Sequence, residues 1–173
     1  MDLMCDTREH AKEYDRIKKQ IEHFPNIRII RSKLYVGDYM SLDNPRLVID
    51  RKKDLLELCG NVTQQHERFR DELIRAKEHG IKIVVLCEHG DDIQTMEDVI
   101  FWVNPRSEET EWRMVDGHPA KVFKYPKATR GDQLYKSLCT IHDRYGVEFL
   151  FCNKTQTGAK IVEILGGDDN GKK

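Results

Sequence analysis

The junction between an apolar strand and a run of charges constrains the fold of this chain more than any other feature of its sequence. Leu47, Val48 and Ile49 are apolar and mostly β-branched, which predicts a buried β-strand. Five charged residues, Asp50 to Asp54, follow this strand with no turn residue between them. A charge run usually marks a solvated helix, and the alternative is a buried strand that ends in a functional site.

The length and composition predict one soluble globular domain. The chain has 173 residues, of which 34% are charged, and this length is sufficient to bury a core. The N-terminus lacks the basic and apolar regions of a signal peptide. The strongest apolar run, Ile83 to Cys87, is too short to span a bilayer. We therefore expect a cytoplasmic protein with no membrane partner.

The cysteines and histidines predict neither disulfides nor a zinc site. The five cysteines are widely spaced and mostly lie in apolar runs, which is typical of reduced core cysteines. The seven histidines form no HxxxH pattern, and no CxxC pair accompanies them.

The net charge of −1 disfavours binding of nucleic acid by bulk attraction. DNA would have to be contacted by local patches, and one candidate patch over residues 121–136 contains Lys124, Lys127 and Arg130 against a single acid, Asp132. This stretch is either a DNA contact or an ordinary solvated surface. Trp102 and Trp112 are candidates for stacking on unpaired bases, although covering the end of the sheet is the favoured role of Trp102.

Hydrophobic periodicity and turn residues predict an α/β fold. The predicted strands cover residues 3–5, 27–30, 34–40, 47–51, 81–87 and 147–151. The predicted helices cover residues 10–24, a segment capped by Asn61 and ended by Gly80, and residues 129–145 and 156–165. An antiparallel meander, a crossover helix and a further strand then form an α-β-β-β-α-β core, with one central mixed sheet flanked by helices. We expect a single domain over residues 1–165, with an irregular insertion or flap at 91–128 and a flexible tail at 166–173.

Two carboxylates are predicted to meet at the charged end of this sheet. Side chains alternate along a strand, so Asp50 and Lys52 project to the same face and Arg51 to the other. Asp38 lies about as far before the Asp43-Asn44-Pro45 turn as Asp50 lies after it. Carboxylates this close repel unless a cation lies between them, and Mg²⁺ is a suitable cation.

These residues resemble a known signature. Gly37-Asp38 followed by Asp50-Arg51-Lys52 is similar to the G-D…E-R-K pattern of XPF-type excision-repair nucleases, in the restriction-endonuclease-like PD-(D/E)xK superfamily. Asp6-Thr7-Arg8-Glu9 resembles the D-x-R-E of that family, Arg68 falls where the family has an arginine, and Glu88 ends the next strand as an acid does there. Specific motifs cover residues 1–90, and only the element pattern continues beyond them.

The sequence also departs from the family pattern. Asp50 stands in place of a glutamate, Leu56 in place of an aspartate and Glu72 in place of a glutamine. No segment resembles the tandem helix-hairpin-helix modules of the family. The resemblance therefore suggests a compact phage or bacterial member, in a bacterial or phage-infected cell.

The resemblance implies a metal-dependent DNA endonuclease of repair or recombination that acts on branched, flap or splayed DNA and uses Mg²⁺, for which Mn²⁺ substitutes. The expected metal ligands are Asp38 and Asp50. The full set of expected catalytic residues is Asp38, Asp50, Lys52, Arg51, Asp6, Glu9 and Arg68. The expected DNA-binding residues are Arg8, Lys53, Arg68, Lys124, Lys127 and Arg130.

Structural roles remain open for several of these residues. Asp6 is equally suited to cap the first helix, Arg51 to pair with Asp6 or Glu9, and Arg68 to pair with Glu72 four residues on. The alternative function is a non-catalytic nuclease-fold subunit that binds DNA or supports a partner. The resemblance further implies a homodimer or a nuclease partner, contacted through the helix at 129–145 and the strand at 147–151.

Overall fold

Six strands form one mixed sheet in the computed structural model, which describes residues 1–166. The strands of this sheet are β1 (Asp2–Asp6), β2 (Arg28–Ser32), β3 (Tyr39–Ser41), β4 (Asn44–Lys52), β5 (Lys82–Glu88) and β8 (Glu148–Cys152). A separate hairpin contains β6 (Thr110–Val115) and β7 (His118–Phe123). The α-helices are α1 (Ala11–Ile21), α2 (Leu55–Thr63), α3 (His66–Glu78), α4 (Gly131–Tyr145) and α5 (Thr157–Gly166). Two short 3₁₀ helices cover Glu97–Phe101 and Pro105–Glu108.

The strand order is β2-β1-β3-β4-β5-β8. β1 pairs parallel with β2 and antiparallel with β3, whereas β4 pairs antiparallel with β3 and parallel with β5, which in turn pairs parallel with β8. The predicted mixed sheet with flanking helices is therefore confirmed. The predicted meander is wrong at its first step, because α1 returns the chain so that β2 lies beside β1 and not beside β3.

The sheet separates two apolar cores. Successive residues of a strand face opposite sides, and on β4 Val48 packs with α2, α3 and α4 while Ile49 packs with α1 and α5. Both residues are almost fully buried. Helices thus cover both faces, and any polar side chain at the end of β4 must enter one of the two helical layers.

Two helices replace the one predicted between Asn61 and Gly80. Asp54 caps α2, with its Oδ1 accepting a hydrogen bond of 2.7 Å from the backbone N–H of Glu57, so the helix begins six residues before Asn61. The predicted cap at Asn61 is wrong, because that residue lies inside α2. Gly80, with φ +63°, does follow the end of α3.

The segment 91–128 is more regular than its sequence suggests. It contains both 3₁₀ helices and the β6–β7 hairpin. The hairpin turn is Asp116-Gly117, with φ values of 50° and 82°, and a two-residue Asp-Gly loop with positive φ is a strong hairpin signal. The strand predicted over residues 34–40 is, in contrast, shorter than expected, because β3 begins only at Tyr39.

The remaining predictions concern the cysteines, the tail and membrane segments. The five cysteines are free, and all except the half-buried Cys139 are buried. Gly166 belongs to α5, and residues 167–173 of the predicted tail lie outside the described residues. Within residues 1–166, none of the helices has the length and apolar character needed to cross a membrane.

Candidate active site

Asp50 and Lys52 lie at the end of β4 on the face covered by α2 and α3. Both are buried, with 6% and 7% of their surface exposed. Lys52 Nζ lies 2.9 Å from Asp50 Oδ1 and 2.8 Å from Oδ2, and 5.5 Å from the centre of the Phe69 ring on α3. Burial alone would lower the pKa of Lys52, but the charge and hydrogen bond of Asp50 outweigh it, so the pKa of Lys52 is raised. Lys52 is therefore a cation in this pair.

Asp38 lies across the strand pair from Asp50. Its backbone N–H donates a hydrogen bond of 2.8 Å to the carbonyl of Ile49, and its Oδ2 accepts one of 2.8 Å from the backbone N–H of Arg51. Burial and then the negative charge of Asp50 raise the pKa of Asp38 well above its usual range. The predicted proximity of the two carboxylates is confirmed.

Gly37 and Glu72 fix the approach to Asp38. Gly37 has φ +67°, and a Cβ atom there would lie 2.2 Å from Val48 Cγ1 and 2.9 Å from the carbonyl oxygen of Ile49. Only glycine fits this close approach in this conformation. Glu72 of α3 accepts a hydrogen bond of 2.9 Å from the Gly37 N–H, so the helix holds the loop that presents Asp38.

Arg51 projects to the opposite face and binds acids from the β1–α1 connection and from β5. Its Nη2 lies 2.9 Å from Glu9 Oε1, and its Nη1 lies 3.2 Å from Glu88 Oε1 at the end of β5. Glu88 is also paired with Arg16 of α1 and accepts a hydrogen bond of 2.8 Å from Thr157 of α5. Burial opposes the charge of Arg51, but these acids outweigh it and raise its pKa. The predicted pairing of Arg51 with Glu9 is confirmed.

A cavity of about 540 Å³ opens over the carboxylate pair. Its acidic lining residues are Glu9, Glu13, Asp38, Asp50, Glu57 and Glu72. Its basic lining residues are Arg8, Lys12, Arg51, Lys52, Lys53, Arg68 and Lys154. Partly or fully buried acids with several cations around them suit a site that holds a metal ion and contacts a phosphate backbone.

Comparisons with known proteins identify the family of this chain. The ERCC4 domain matches residues 5–165, which is nearly the whole chain. The chain belongs to the ERCC4 domain family. No curated protein matches this ERCC4 domain.

Two similar solved structures are XPF from Aeropyrum pernix and XPF from Aeropyrum pernix in complex with DNA. They superpose with TM-scores of 0.61 and 0.60, each at 15% identity. Each match covers 95% of this ERCC4 domain but only 63% of the XPF chain. At this level of identity, the likeness establishes a shared fold.

Most of the expected catalytic residues of the ERCC4 domain meet at this cavity, but Asp6 does not line it. Asp6 is fully buried and accepts hydrogen bonds from the backbone N–H groups of Arg8 and Leu34 and from the Arg8 guanidinium. It does not cap α1 either, because His10 holds the cap position. Arg68 is exposed on the cavity wall, and Glu72 is hydrogen-bonded to Gly37 instead of pairing with it.

The expected DNA-binding residues divide into two groups. Arg8, Lys53 and Arg68 line the cavity of the carboxylate pair. Lys124 and Lys127 line a second cavity on the other side of α2. Arg130 lines neither of these two cavities, and its guanidinium lies 2.9 Å from Asp132.

Sequence reasoning missed the residues that support the site from distant elements. Arg16 and Thr157 reach Glu88 across sequence separations of 72 and 69 residues, for which the sequence carries no signal. Glu57 lines the cavity whereas Leu56, at the position of the family aspartate, faces the second one. Lys154 could have been found, since it follows β8 and the carboxyl ends of the parallel strands β4, β5 and β8 share one edge of the sheet.

The carboxylate pair fits a hard divalent cation. Asp50 Oδ2 is buried and lies 2.8 Å from Lys52 Nζ, and the charge of Asp50 opposes that of the neighbouring Asp38, so a cation between the two carboxylates would relieve their repulsion. Within residues 1–166, no group of three or more His, Cys, Asp or Glu side chains is arranged as a metal site. Mg²⁺ is commonly bound by one or two carboxylates, with its remaining coordination positions occupied by water and phosphate.

Proposed function

We propose that this ERCC4 domain is a Mg²⁺-dependent DNA endonuclease that hydrolyses phosphodiester bonds, with Mn²⁺ able to substitute. The observation that carries the proposal is the group Asp38, Asp50 and Lys52 at the floor of an open cavity, where Asp50 and Lys52 are buried and Asp38 is half-buried. Burying charges is unfavourable unless they are paired or bind a metal. A non-catalytic subunit would have no need to retain such an arrangement.

The cation would be held by Asp38 and Asp50. When bound, it supplies Lewis-acid activation of a water and stabilisation of the charge that develops on the phosphate. The two carboxylates are pre-positioned for this role, because the Arg51 N–H and the Gly37 turn fix Asp38 and the ladder of β4 fixes Asp50.

Lys52 acts as a cation in this proposal and not as a base. Although burial acts to lower it, the charge of Asp50 raises the pKa of Lys52 in the chain without a metal, and we propose that its ammonium neutralises negative charge on the phosphate that is attacked. Arg8, Lys53 and Arg68 on the cavity wall would contact flanking phosphates and hold the strand in register. Arg51 would act by positioning, since its contacts are with Glu9 and Glu88.

The substrate class and the assembly are finer parts of the same proposal. We propose that the domain cuts branched, flap or splayed DNA in repair or recombination. We also propose that it works as a homodimer or with a nuclease partner, because one near-neutral domain offers few phosphate contacts. α4 and the edge strand β8 are the proposed contact surface. Light scattering that finds a fully active monomer at high micromolar concentration would exclude this assembly.

A cleavage assay tests the proposed activity. Duplex, flap, splayed-arm and four-way DNAs are incubated with the wild-type chain in Mg²⁺, in Mn²⁺ and in EDTA, and with Asp50→Asn in Mg²⁺. We expect cleavage only by the wild type with a metal. Glu163→Gln is the matched control, because Glu163 is an exposed acid on α5 that lines neither cavity. Full activity in EDTA or in Asp50→Asn refutes the proposal, and DNA binding without any cleavage favours the non-catalytic alternative.

A further inference from the structure

A second cavity, of about 300 Å³, lies on the side of α2 opposite to the carboxylate pair. Glu57, Asn61 and Gln65 line the first cavity, whereas Leu56, Gly60 and Gln64 line the second. The remaining lining residues of the second cavity are Cys59, Thr63, Asn104, Arg106 and residues 124–129. α2 is therefore the partition between the two cavities.

The charge of the second cavity has one sign. Arg106, Lys124 and Lys127 line it, and no aspartate or glutamate does. The first cavity, in contrast, contains six acids. Lys124 has an acid near its outer side, with Glu109 at 3.6 Å in an exposed pair, which is a weak interaction in water. The cavity is thus suited to an anion in a chain whose net charge is −1.

The cationic groups of this cavity are held in place around one aromatic ring. Arg106 Cζ lies 5.3 Å and Lys124 Nζ lies 5.1 Å from the centre of the Tyr125 ring, within the range of cation–π attraction. Asn104 is buried and donates a hydrogen bond of 2.9 Å to the carbonyl of Thr129, which ties the two sides of the cavity together. The cavity is therefore built and not merely a gap between surface side chains.

An exposed aromatic face adjoins the cavity. Lys124 directly follows β7, and on the hairpin Trp112 and Phe123 share a face with Lys121, the cross-strand partner of Trp112. Trp112 is 72% and Phe123 is 59% exposed. Exposed aromatic rings with interleaved cations are suited to stack on unpaired bases and to neutralise the adjoining phosphates.

We propose that the second cavity binds a backbone phosphate of the same DNA that occupies the carboxylate site, and that the hairpin face stacks on unpaired bases next to that phosphate. This inference rests on the proposed function, because it assigns the cavity to the nuclease substrate. A helix with its side chains is about 10–12 Å wide, and DNA rises about 3.4 Å per base pair. The second contact would therefore lie roughly three base pairs or more from the bond that is cut.

Binding measured in the absence of turnover tests the inference. Fluorescence anisotropy with a labelled splayed-arm DNA is recorded in EDTA over a series of salt concentrations. The test variant is Lys124→Ala/Lys127→Ala, and the matched control is Arg46→Ala/Lys82→Ala, which removes two cations where β4 and β5 begin, at the opposite end of the sheet. We expect the test variant to bind about tenfold or more weakly and to lose about one unit of the salt slope, since the cavity contacts one phosphate and each lost phosphate contact removes about one unit. The control should bind like the wild type.

Tryptophan fluorescence tests the stacking. Trp102 is buried, so Trp112 is the exposed tryptophan. Single-stranded DNA should quench the emission of the wild type, and the quenching should disappear in Trp112→Leu, which removes an exposed side chain and leaves the thermal unfolding unchanged. Quenching that persists in Trp112→Leu refutes the stacking.

The outcomes separate this inference from the proposed function. If DNA binds and is cleaved but the test variant matches the control, the inference is wrong and the nuclease stands. If the test variant loses affinity while no DNA is ever cleaved, the inference stands and the nuclease fails. Titrations with inorganic phosphate and with dTMP test whether the cavity instead binds a small phosphate compound. If the wild type binds either compound with micromolar affinity, and the test variant loses this binding but keeps its DNA affinity, the cavity belongs to a small phosphate compound and the inference is refuted.

Discussion

Side-chain alternation divides the charges after Ile49 among different environments. Asp50 and Lys52 form a buried pair under the cavity, and Arg51 enters the opposite helical layer. Lys53 is exposed at the rim, and Asp54 caps α2. The usual meaning of a charge run, a solvated helix start, thus applies only to its last two residues. The first three are charged because each has a specific partner.

Adjacent lysines are expected to have different roles. Lys52→Ala should lower the cleavage rate at saturating DNA by about a hundredfold or more, ~3 kcal/mol of barrier, because the cation beside the reacting phosphate is lost. Lys53→Ala should leave this rate unchanged and reduce the salt slope of DNA binding by about one unit. Single-turnover rates and anisotropy on the three proteins give the comparison. Equal rates for Lys52→Ala and the wild type would contradict the assignment of Lys52.

Asp6 is expected to stabilise the fold in a pH-dependent way. Burial acts to raise the pKa of Asp6, but the hydrogen bonds from Arg8 and Leu34 outweigh it, and the pKa is lowered from its ordinary 3.8. A lowered pKa in the folded state gives stability that is present above pH 4 and is lost as the pH falls through the lowered value. Asp6→Asn should destabilise by roughly 1–3 kcal/mol at pH 7, because buried donors lose their acceptor.

Urea unfolding between pH 7 and pH 3 measures the difference in the free energy of unfolding between the wild type and Asp6→Asn. This difference should become smaller below pH 4. Asp2→Asn is the control, because Asp2 pairs with the exposed Arg28 and surface pairs of this kind contribute little to stability. A difference between wild type and Asp6→Asn that is constant over this pH range would show that the carboxylate charge is not what stabilises this loop.

At the scale of elements, the sequence predicts the strands and helices with strong periodicity and misses those set by local contacts. The order of α1, β4, β5, α4, β8 and α5 follows from apolar patterns. The early start of α2 depends on the Asp54 cap, which is hidden inside the charge run. The position of β2 beside β1 depends on which strands pair with each other in the folded sheet, and the hydrophobic pattern of a single strand does not determine its partner. The hairpin did have a local signal, Asp116-Gly117.

The same distinction applies to the site. Asp38, Asp50 and Lys52 could be placed together because strand alternation and the distance from a turn determine their positions. The Glu72–Gly37 and Glu88–Arg16 contacts could not, because they join elements that meet only in the folded chain.

Glu72 of α3 is expected to position Asp38. Glu72→Ala removes the acceptor of the Gly37 N–H and should lower the cleavage rate by about tenfold or more, since small displacements of reacting groups are costly. Glu72→Gln keeps a carbonyl acceptor and should restore most of the rate. A purely structural role would instead give rates that follow the melting temperatures of the two variants. Loss of activity in Glu72→Gln equal to that in Glu72→Ala would contradict a positioning role through this hydrogen bond.

At the scale of the whole molecule, metal binding should be visible as stability. A cation that binds only the folded chain stabilises it by about 2.7 kcal/mol when its concentration is a hundred times its Kd. For a chain of this size, each kcal/mol of stabilisation raises the Tm by about 2–4 °C. Mg²⁺ and Ca²⁺ should both raise the Tm of the wild type, and neither should raise that of Asp50→Asn. Differential scanning calorimetry of the two proteins in EDTA and in each metal gives six Tm values, from which the metal-induced shifts follow. Ca²⁺ should support little cleavage, because its looser coordination positions water poorly.

The two chain segments that connect the β6–β7 hairpin to the rest of the molecule lie side by side. The Lys124 N–H donates a hydrogen bond of 2.8 Å to the carbonyl of Glu109, and the ladder of β6 and β7 involves only these two strands. A segment whose two ends meet can be lengthened, shortened or exchanged without displacing the core. Residues 110–123 are therefore a point at which a chain can acquire a different surface segment in one genetic step, while β4 and the loop before β3, which carry Asp50 and Asp38, keep their geometry.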